Sequence, residues 1–167
     1  MVVRPPEPLA DHHRTAAFDS GAAVLDDWLK RRALANQSSG ATRTFVVPDS
    51  DGGDVIAYFA LASGAVGVQA APGRFRRNMP DPIPVAILAR LAIDRRHQGR
   101  GLGRALVRDA ALRVLAAAES IGVRGLLVHA ISEDARAFYA AVGFDPSPLE
   151  PMTLMVTLAD LRAALGD

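Results

Sequence analysis

The chain has no cysteine. That excludes a disulfide scaffold, a thiolate nucleophile and a cysteine-ligated metal. Aromatic residues make up only 5%, and Lys30 is the sole lysine. No apolar run reaches the roughly 18 residues of a membrane span. The longest, residues 55–68, is interrupted by Ser63, Gly64 and Gly67. The opening residues Met1-Val2-Val3-Arg4-Pro5-Pro6 lack the apolar core of a signal peptide. These absences predict a cytoplasmic protein without membrane association. What remains is a chain of 167 residues, half of them apolar and 22% charged, which is about one globular domain, 1–167.

The net charge of +1 conceals a strong asymmetry. Ten arginines and only three acids, Asp81, Asp94 and Asp109, fall between Arg74 and Arg113. Genomic composition accounts for the choice of Arg over Lys but not for the clustering. A basic segment of this kind suits an anionic partner, and the guanidinium fork suits phosphate.

The order of elements is mixed α/β. Apolar spacing at Leu25, Trp28, Leu29 and Leu34 predicts a helix from about Ala22 to Gln37. Thr42–Val47 and Val55–Leu61 read as a hairpin around the turn at 48–53. Residues 69–84, rich in Pro, Gly and Arg, read as a loop. Val85–Ile93 is an apolar run broken only by Arg90, hence a buried strand. A helix from Leu102 to Ile121 and a strand from Val123 to Ile131 follow. Ser132 can cap the next helix, with Glu133 and Asp134 in its first turn and Gly143 as its stop. A strand at Met152–Thr157 and a last short helix to Leu165 complete the series.

The chemistry concentrates between the buried strand and the long helix. Gly99, Gly101 and Gly103 let backbone N–H groups approach a ligand without an intervening Cβ. They sit at a helix N-terminus, where free amides and the macrodipole favour an anion. Arg95, Arg96, Arg100 and Arg104 flank them. The segment reads as a phosphate or diphosphate cradle, with a plain strand-to-helix turn as the alternative. Arg104-Ala105 replaces the Lys-Ser/Thr of a P-loop, and the glycine spacing does not match G-x-G-x-x-G.

Gln98-Gly99-Arg100-Gly101-Leu102-Gly103 resembles the Q/R-x-x-G-x-G/A turn of the GNAT superfamily of N-acetyltransferases. Ala137-Phe138-Tyr139-Ala140-Ala141-Val142-Gly143-Phe144 is similar to the superfamily's F-Y-x-x-x-G-F signature. The likeness covers roughly Thr42 to Thr157. Phe18-Asp19-Ser20-Gly21 through Trp28-Leu29, Arg43–Val47, Ala89–Asp94 and Ala135–Tyr139 further resemble TacT-like GNAT toxins.

The resemblance implies a mixed central β-sheet flanked by helices, with acetyl-CoA in the splay between the fourth and fifth strands. It implies acetyl transfer to the α-amino group of aminoacyl-tRNA, a block on translation, a ribbon-helix-helix antitoxin and a homodimer. It assigns Leu91, Ala92 and Ile93 to the pantetheine arm and Gln98, Gly99, Arg100, Gly101, Leu102, Gly103 and Arg104 to the diphosphate. Ser132, Ala135 and Phe138 flank the arm's other side, and Tyr139 stands beside the sulfur as the catalytic acid. A GNAT enzyme acting on a small-molecule amine or a protein N-terminus is the alternative, and a non-catalytic GNAT-like binding module is a third reading.

Val85–Ile93 contains no carboxylate to serve as base. A lysine amine titrates near 10.4 and an α-amine near 7.7–8.0, so deprotonating lysine costs roughly 3–4 kcal/mol more. The missing base favours an acceptor of low pKa, although Asp94, His129, Glu133 or water could still serve. His129 otherwise reads as a structural histidine. Coenzyme A occupies only a few of ten arginines, which leaves Arg74, Arg76, Arg77, Arg90, Arg95 and Arg96 as candidates for RNA phosphates. Phe75 is the one aromatic interleaved with them. His12, His13 and His97 show no metal-ligand spacing with carboxylates, so no metal is expected.

Overall fold

A computed structural model describes residues 4–51 and 53–165. The elements are β1 (Glu7–Pro8), α1 (Ala23–Arg31), α2 (Ala33–Ser39), β2 (Arg43–Pro48), β3 (Val55–Val66), α3 (Gly73–Arg76) and β4 (Ile83–Ile93). Then come α4 (Leu102–Ala117), β5 (Gly125–His129), α5 (Glu133–Ala141), β6 (Asp145–Pro146), β7 (Thr153–Thr157) and α6 (Leu158–Leu165). The strands form one mixed sheet in the order β1-β2-β3-β4-β5-β7-β6. β2 and β3 pair antiparallel from Arg43↔Leu61 to Pro48↔Val55, as the turn between them predicts. β4 and β5 pair in parallel over Ala86–Leu88 and Leu126–Val128, and β4 runs on to Ile93. A short parallel ladder needs a helical crossover, which α4 supplies.

Two compact units emerge. The first comprises residues up to Ala62 together with Ala89–Asp109. Its core gathers Leu9, Phe18, Leu25, Leu29, Ala33, Val46, Val55, Tyr58 and Ala92. The Tyr58 hydroxyl donates to the Leu25 carbonyl at 2.7 Å, which ties β3 to α1. The second comprises Ser63–Leu88 and the chain from Ala110 on. Ala71, Phe75, Ile83, Val85, Leu127 and Met155 form a core there. Gly125 lies so close to the Val156 carbonyl and the Phe75 ring that a Cβ would collide with both. Among the described residues no helix is long and apolar enough to cross a membrane.

Several expectations need correction. The helix expected over 22–37 is two helices, broken at Arg32 (φ −121°, ψ −30°). No Gly or Pro marks the break, and the stripe Leu25, Leu29, Ala33 continues through it. The loop expected over 69–84 holds α3, opened by Pro72 and anchored by buried Phe75. Phe75 is therefore core, with the Arg124 guanidinium over its ring, and is not free to stack on a base. α4 stops at Ala117, and Ile121, the expected last residue of that helix, is 57% exposed. β1 and β6, two residues each, are too short for periodicity to reveal.

Candidate active site

In the first unit the turn after β4 is built by its own side chains. Asp94, 2% exposed, caps a single helical turn at Arg95–His97. Its carboxylate accepts from Arg96 N, Arg96 Nε and Asp19 N at 3.0–3.1 Å. Burial pushes this carboxyl up, but the hydrogen bonds from Arg96 and Asp19 and the Arg96 charge outweigh it, so it lies below the usual carboxylate range. A carboxylate held in that way is unsuited to accept a proton, which removes Asp94 as a candidate base. The Gln98 amide donates to the carbonyls of Ile93 (2.8 Å) and Ser20 (2.9 Å). Arg95 holds Asp19 through its backbone N (2.8 Å) and its Nε (3.1 Å). Ser20 in turn donates through N and Oγ to Asp26. The Asp19-Ser20 segment is thus a brace for the cradle, a role no spacing rule could reveal.

Beyond the brace, Gly99 (φ +77°) and Gly101 (φ +80°) adopt backbone conformations that favour glycine, and the space a Cβ would take is open at both. They lead into the N-terminus of the 16-residue α4, which has no acid in its first turn. A cavity of about 300 Å³ lies there, with a largely apolar wall that includes Val47, Leu102 and Leu106, and with Arg4, His97 and Arg100 also lining it. Open amides, a helix N-terminus and three basic side chains fit a diphosphate. Leu91 and Ile93 are half-buried and Ala92 is buried in β4. The polar side chain of that strand, Arg90, stacks over Trp28 at 4.9 Å and donates to the Ala89 carbonyl.

The second unit holds the remaining site residues. The Ser132 hydroxyl accepts from Ala135 N at 3.1 Å and caps α5, as expected. Tyr139 is 6% exposed, edge-on to Phe138 and Phe144. Burial pushes its phenol up to about 12. Among the described residues its hydroxyl has no hydrogen-bond partner. His129 ends β5 with its ring exposed and its Nδ1 2.9 Å from Thr153 Oγ1.

The arginines divide sharply. Arg74 pairs with Asp160, Arg95 with Asp19 and Arg96 with Asp94 at 3.0–3.2 Å. Arg76 and Arg77 are exposed and, among the described residues, make no ion pair. The histidine reading needs one correction: Glu7, His12 and His13 bring their ligand atoms within 4.8 Å of one another. The fold closes a gap in sequence that spacing alone does not show. His13 Nδ1 accepts from Ala10 N, which leaves its Nε2–H to donate to Glu7 at 3.0 Å. Metal-bound imidazoles donate from the second nitrogen, so this arrangement is a hydrogen-bond network.

A model of the acetyltransferase (GNAT) domain matches residues 41–146. The chain belongs to that family. A tRNA-acetylating toxin of Mycobacterium tuberculosis is 51% identical to this acetyltransferase over 162 residues, 97% of this chain and 96% of that protein. The structure of AtaT complexed with acetyl-methionyl-tRNAfMet is similar at 27% identity and a TM-score of 0.88, covering 96% of this chain and 98% of that one. A tyrosine-to-phenylalanine mutant of AtaT, bound to the C-terminus of the antitoxin AtaR and to acetyl-CoA, is similar at 25% identity and a TM-score of 0.82. Those figures cover 97% of this acetyltransferase and 98% of that chain. The α/β GNAT fold expected from the glycine turn and the Phe138-Tyr139 signature is therefore the fold of this protein.

Proposed function

We propose that this acetyltransferase moves acetyl from acetyl-CoA to the α-amino group of aminoacyl-tRNA, and so blocks translation as the toxin of a toxin–antitoxin pair. The observation that carries this reading is 51% identity to a tRNA-acetylating toxin across nearly the whole of both chains. The open, cation-flanked cradle at the start of α4 supports it from the side of chemistry. The whole chain, 1–167, acts as one catalytic domain.

When bound, acetyl-CoA supplies the thioester carbonyl that becomes the new amide. Amides of residues 99–103 hold the diphosphate, Arg100 and Arg104 add charge, and Gln98 acts by fixing the turn. Leu91, Ala92 and Ile93 serve the pantetheine arm from β4, and Ser132, Ala135 and Phe138 serve it from α5. Tyr139, kept protonated by burial, gives its proton to the departing sulfur. RNA phosphates lie along Arg74, Arg76, Arg77, Arg90, Arg95 and Arg96. Arg76 and Arg77 carry most of that contact, because Arg74, Arg95 and Arg96 are engaged by acids. The enzyme works in the cytoplasm as a homodimer, and a ribbon-helix-helix antitoxin covers the basic face.

The test is incubation with acetyl-CoA and total charged tRNA, followed by mass analysis of the aminoacyl ends. Acetylated α-amines are expected. Acetyl found only on a free amine or a protein N-terminus would overturn the reading.

A further inference from the structure

The second unit contains a cavity of about 230 Å³ for which the cradle, the phenol and the arginines have no use. Its wall is apolar, formed by Ala65, Val66, Ile87 and Leu127. His129 and Glu150 are the only lining residues with ionisable side chains. His129 is the last residue of β5, one step past the final β4–β5 pair at Leu88↔Val128. Its Nδ1 meets Thr153 Oγ1 on β7 at 2.9 Å. With Nδ1–H given to that hydroxyl, the ring is oriented and Nε2 keeps a free lone pair. This is the arrangement of a general base held by a second group. Asp94 is consumed by the brace, and β4 has no carboxylate.

We propose that His129 Nε2 takes the proton from the acceptor's α-ammonium, in the cavity that receives the aminoacyl end of the substrate. This rests on the functional reading above. The nitrogen lone pair so freed forms the bond to the acetyl carbonyl carbon, and the carbon–sulfur bond breaks. The sulfur takes the Tyr139 hydroxyl proton, and the phenolate recovers a proton from the nitrogen as the amide forms. One proton is left on His129 and passes to solvent. The net change is ammonium plus thioester to amide, thiol and one proton. Glu150, at the same cavity, attracts the ammonium, but an imidazole titrates closer to an α-amine than a carboxylate does and is the better matched base.

The experiment uses full-length protein, total charged tRNA and labelled acetyl-CoA in single-turnover reactions from pH 6.5 to 8.5, with acetyl-CoA affinity measured alongside. His129→Gln is expected to lose on the order of 10²-fold at pH 6.5. The loss should shrink toward tenfold or less at pH 8.5, where the α-amine is largely neutral unaided. Free imidazole should restore His129→Gly, and Thr153→Ser should outperform Thr153→Val. A His129→Gln defect that is absent, or constant across pH, overturns the assignment while leaving the function standing. So does a pH-dependent loss that appears in Glu150→Gln instead. Wild-type protein that leaves every charged tRNA unmodified overturns the functional reading and this one with it.

Discussion

Replacing Tyr139 by Phe removes one oxygen and nothing else that the fold uses. The hydroxyl has no partner among the described residues, and the edge contacts to Phe138 and Phe144 involve the ring alone. Stability should therefore change by no more than about 0.5 kcal/mol. The chemical cost follows from acidity. A phenol pushed up to about 12 by burial stands some 3.5 units above a free thiol near 8.5, an uphill transfer of about 5 kcal/mol. The same burial penalises a thiolate, so the gap in the site narrows toward the 1.5 units, or about 2 kcal/mol, between the two groups in water. In the proposed role the phenol would donate a strong hydrogen bond early and its proton late. Losing such a general acid costs about 10²- to 10³-fold in kcat, with acetyl-CoA affinity unchanged. Single-turnover acetylation of charged tRNA, with calorimetric binding of acetyl-CoA, separates the two quantities. Activity within threefold of wild type would refute the role. An alkaline rate loss below pH 10 that disappears in Tyr139→Phe would keep the role but refute the raised acidity constant, because burial should hold this phenol protonated there.

Gly101→Ala places a side chain in open space but at φ +80°, so only the backbone resists. A penalty of about 1–2 kcal/mol should weaken acetyl-CoA binding roughly 5- to 30-fold by calorimetry. Asp94 has a lowered folded pKa, so it contributes stability above the unfolded value near 3.9 that is lost as pH falls further. Asp94→Asn should unfold at a lower temperature near pH 7 and show a flatter acid limb below about pH 4. Gly125→Ala drives a Cβ into the Val156 carbonyl and the Phe75 ring, and should cost about 1–3 kcal/mol and several degrees in thermal melting. Charged-tRNA binding should fall steeply with salt, and Arg76→Ala with Arg77→Ala should lower the log–log slope by about 1–2 while sparing acetyl-CoA affinity.

The cradle was legible because its signal is local. Three glycines, their flanking arginines and a following helix are contiguous, and the physics of an anion site acts over the same few residues. Tyr139 needed family likeness, since a tyrosine beside a phenylalanine otherwise reads as core, and the structure shows it is buried as well. The brace was invisible for the opposite reason. Asp19 and Ser20 meet Asp94, Arg95 and Gln98 across more than seventy residues, and no periodicity encodes that meeting. Ser20 extends the brace further, because its hydroxyl donates to buried Asp26 at 2.6 Å. The break at Arg32 interrupts an apolar spacing that runs straight through it, and residues 119–122 beyond α4 are exposed, without the core contacts that sustain a helix.

The strongest physical sign of a polyanionic ligand is a conflict within α4. A helix N-terminus carries partial positive charge and is stabilised by carboxylates. Here the first turn has no acid, Arg104 and Arg108 lie four residues apart on the helix, and Arg100 sits just ahead of it, all exposed and, among the described residues, without an ion pair. Like charges at that spacing repel by a few tenths of a kcal/mol each, and they add to the unfavourable dipole. A fold selected only for stability would have placed Glu or Asp there. A phosphate on the open amides, facing the same arginines, would relieve the conflict. Local rules that a sequence breaks without compensation inside the fold mark the place where something outside it completes the balance. In this chain that place coincides with the glycine turn, and the brace of Asp19, Ser20, Asp94 and Gln98 exists to hold it open.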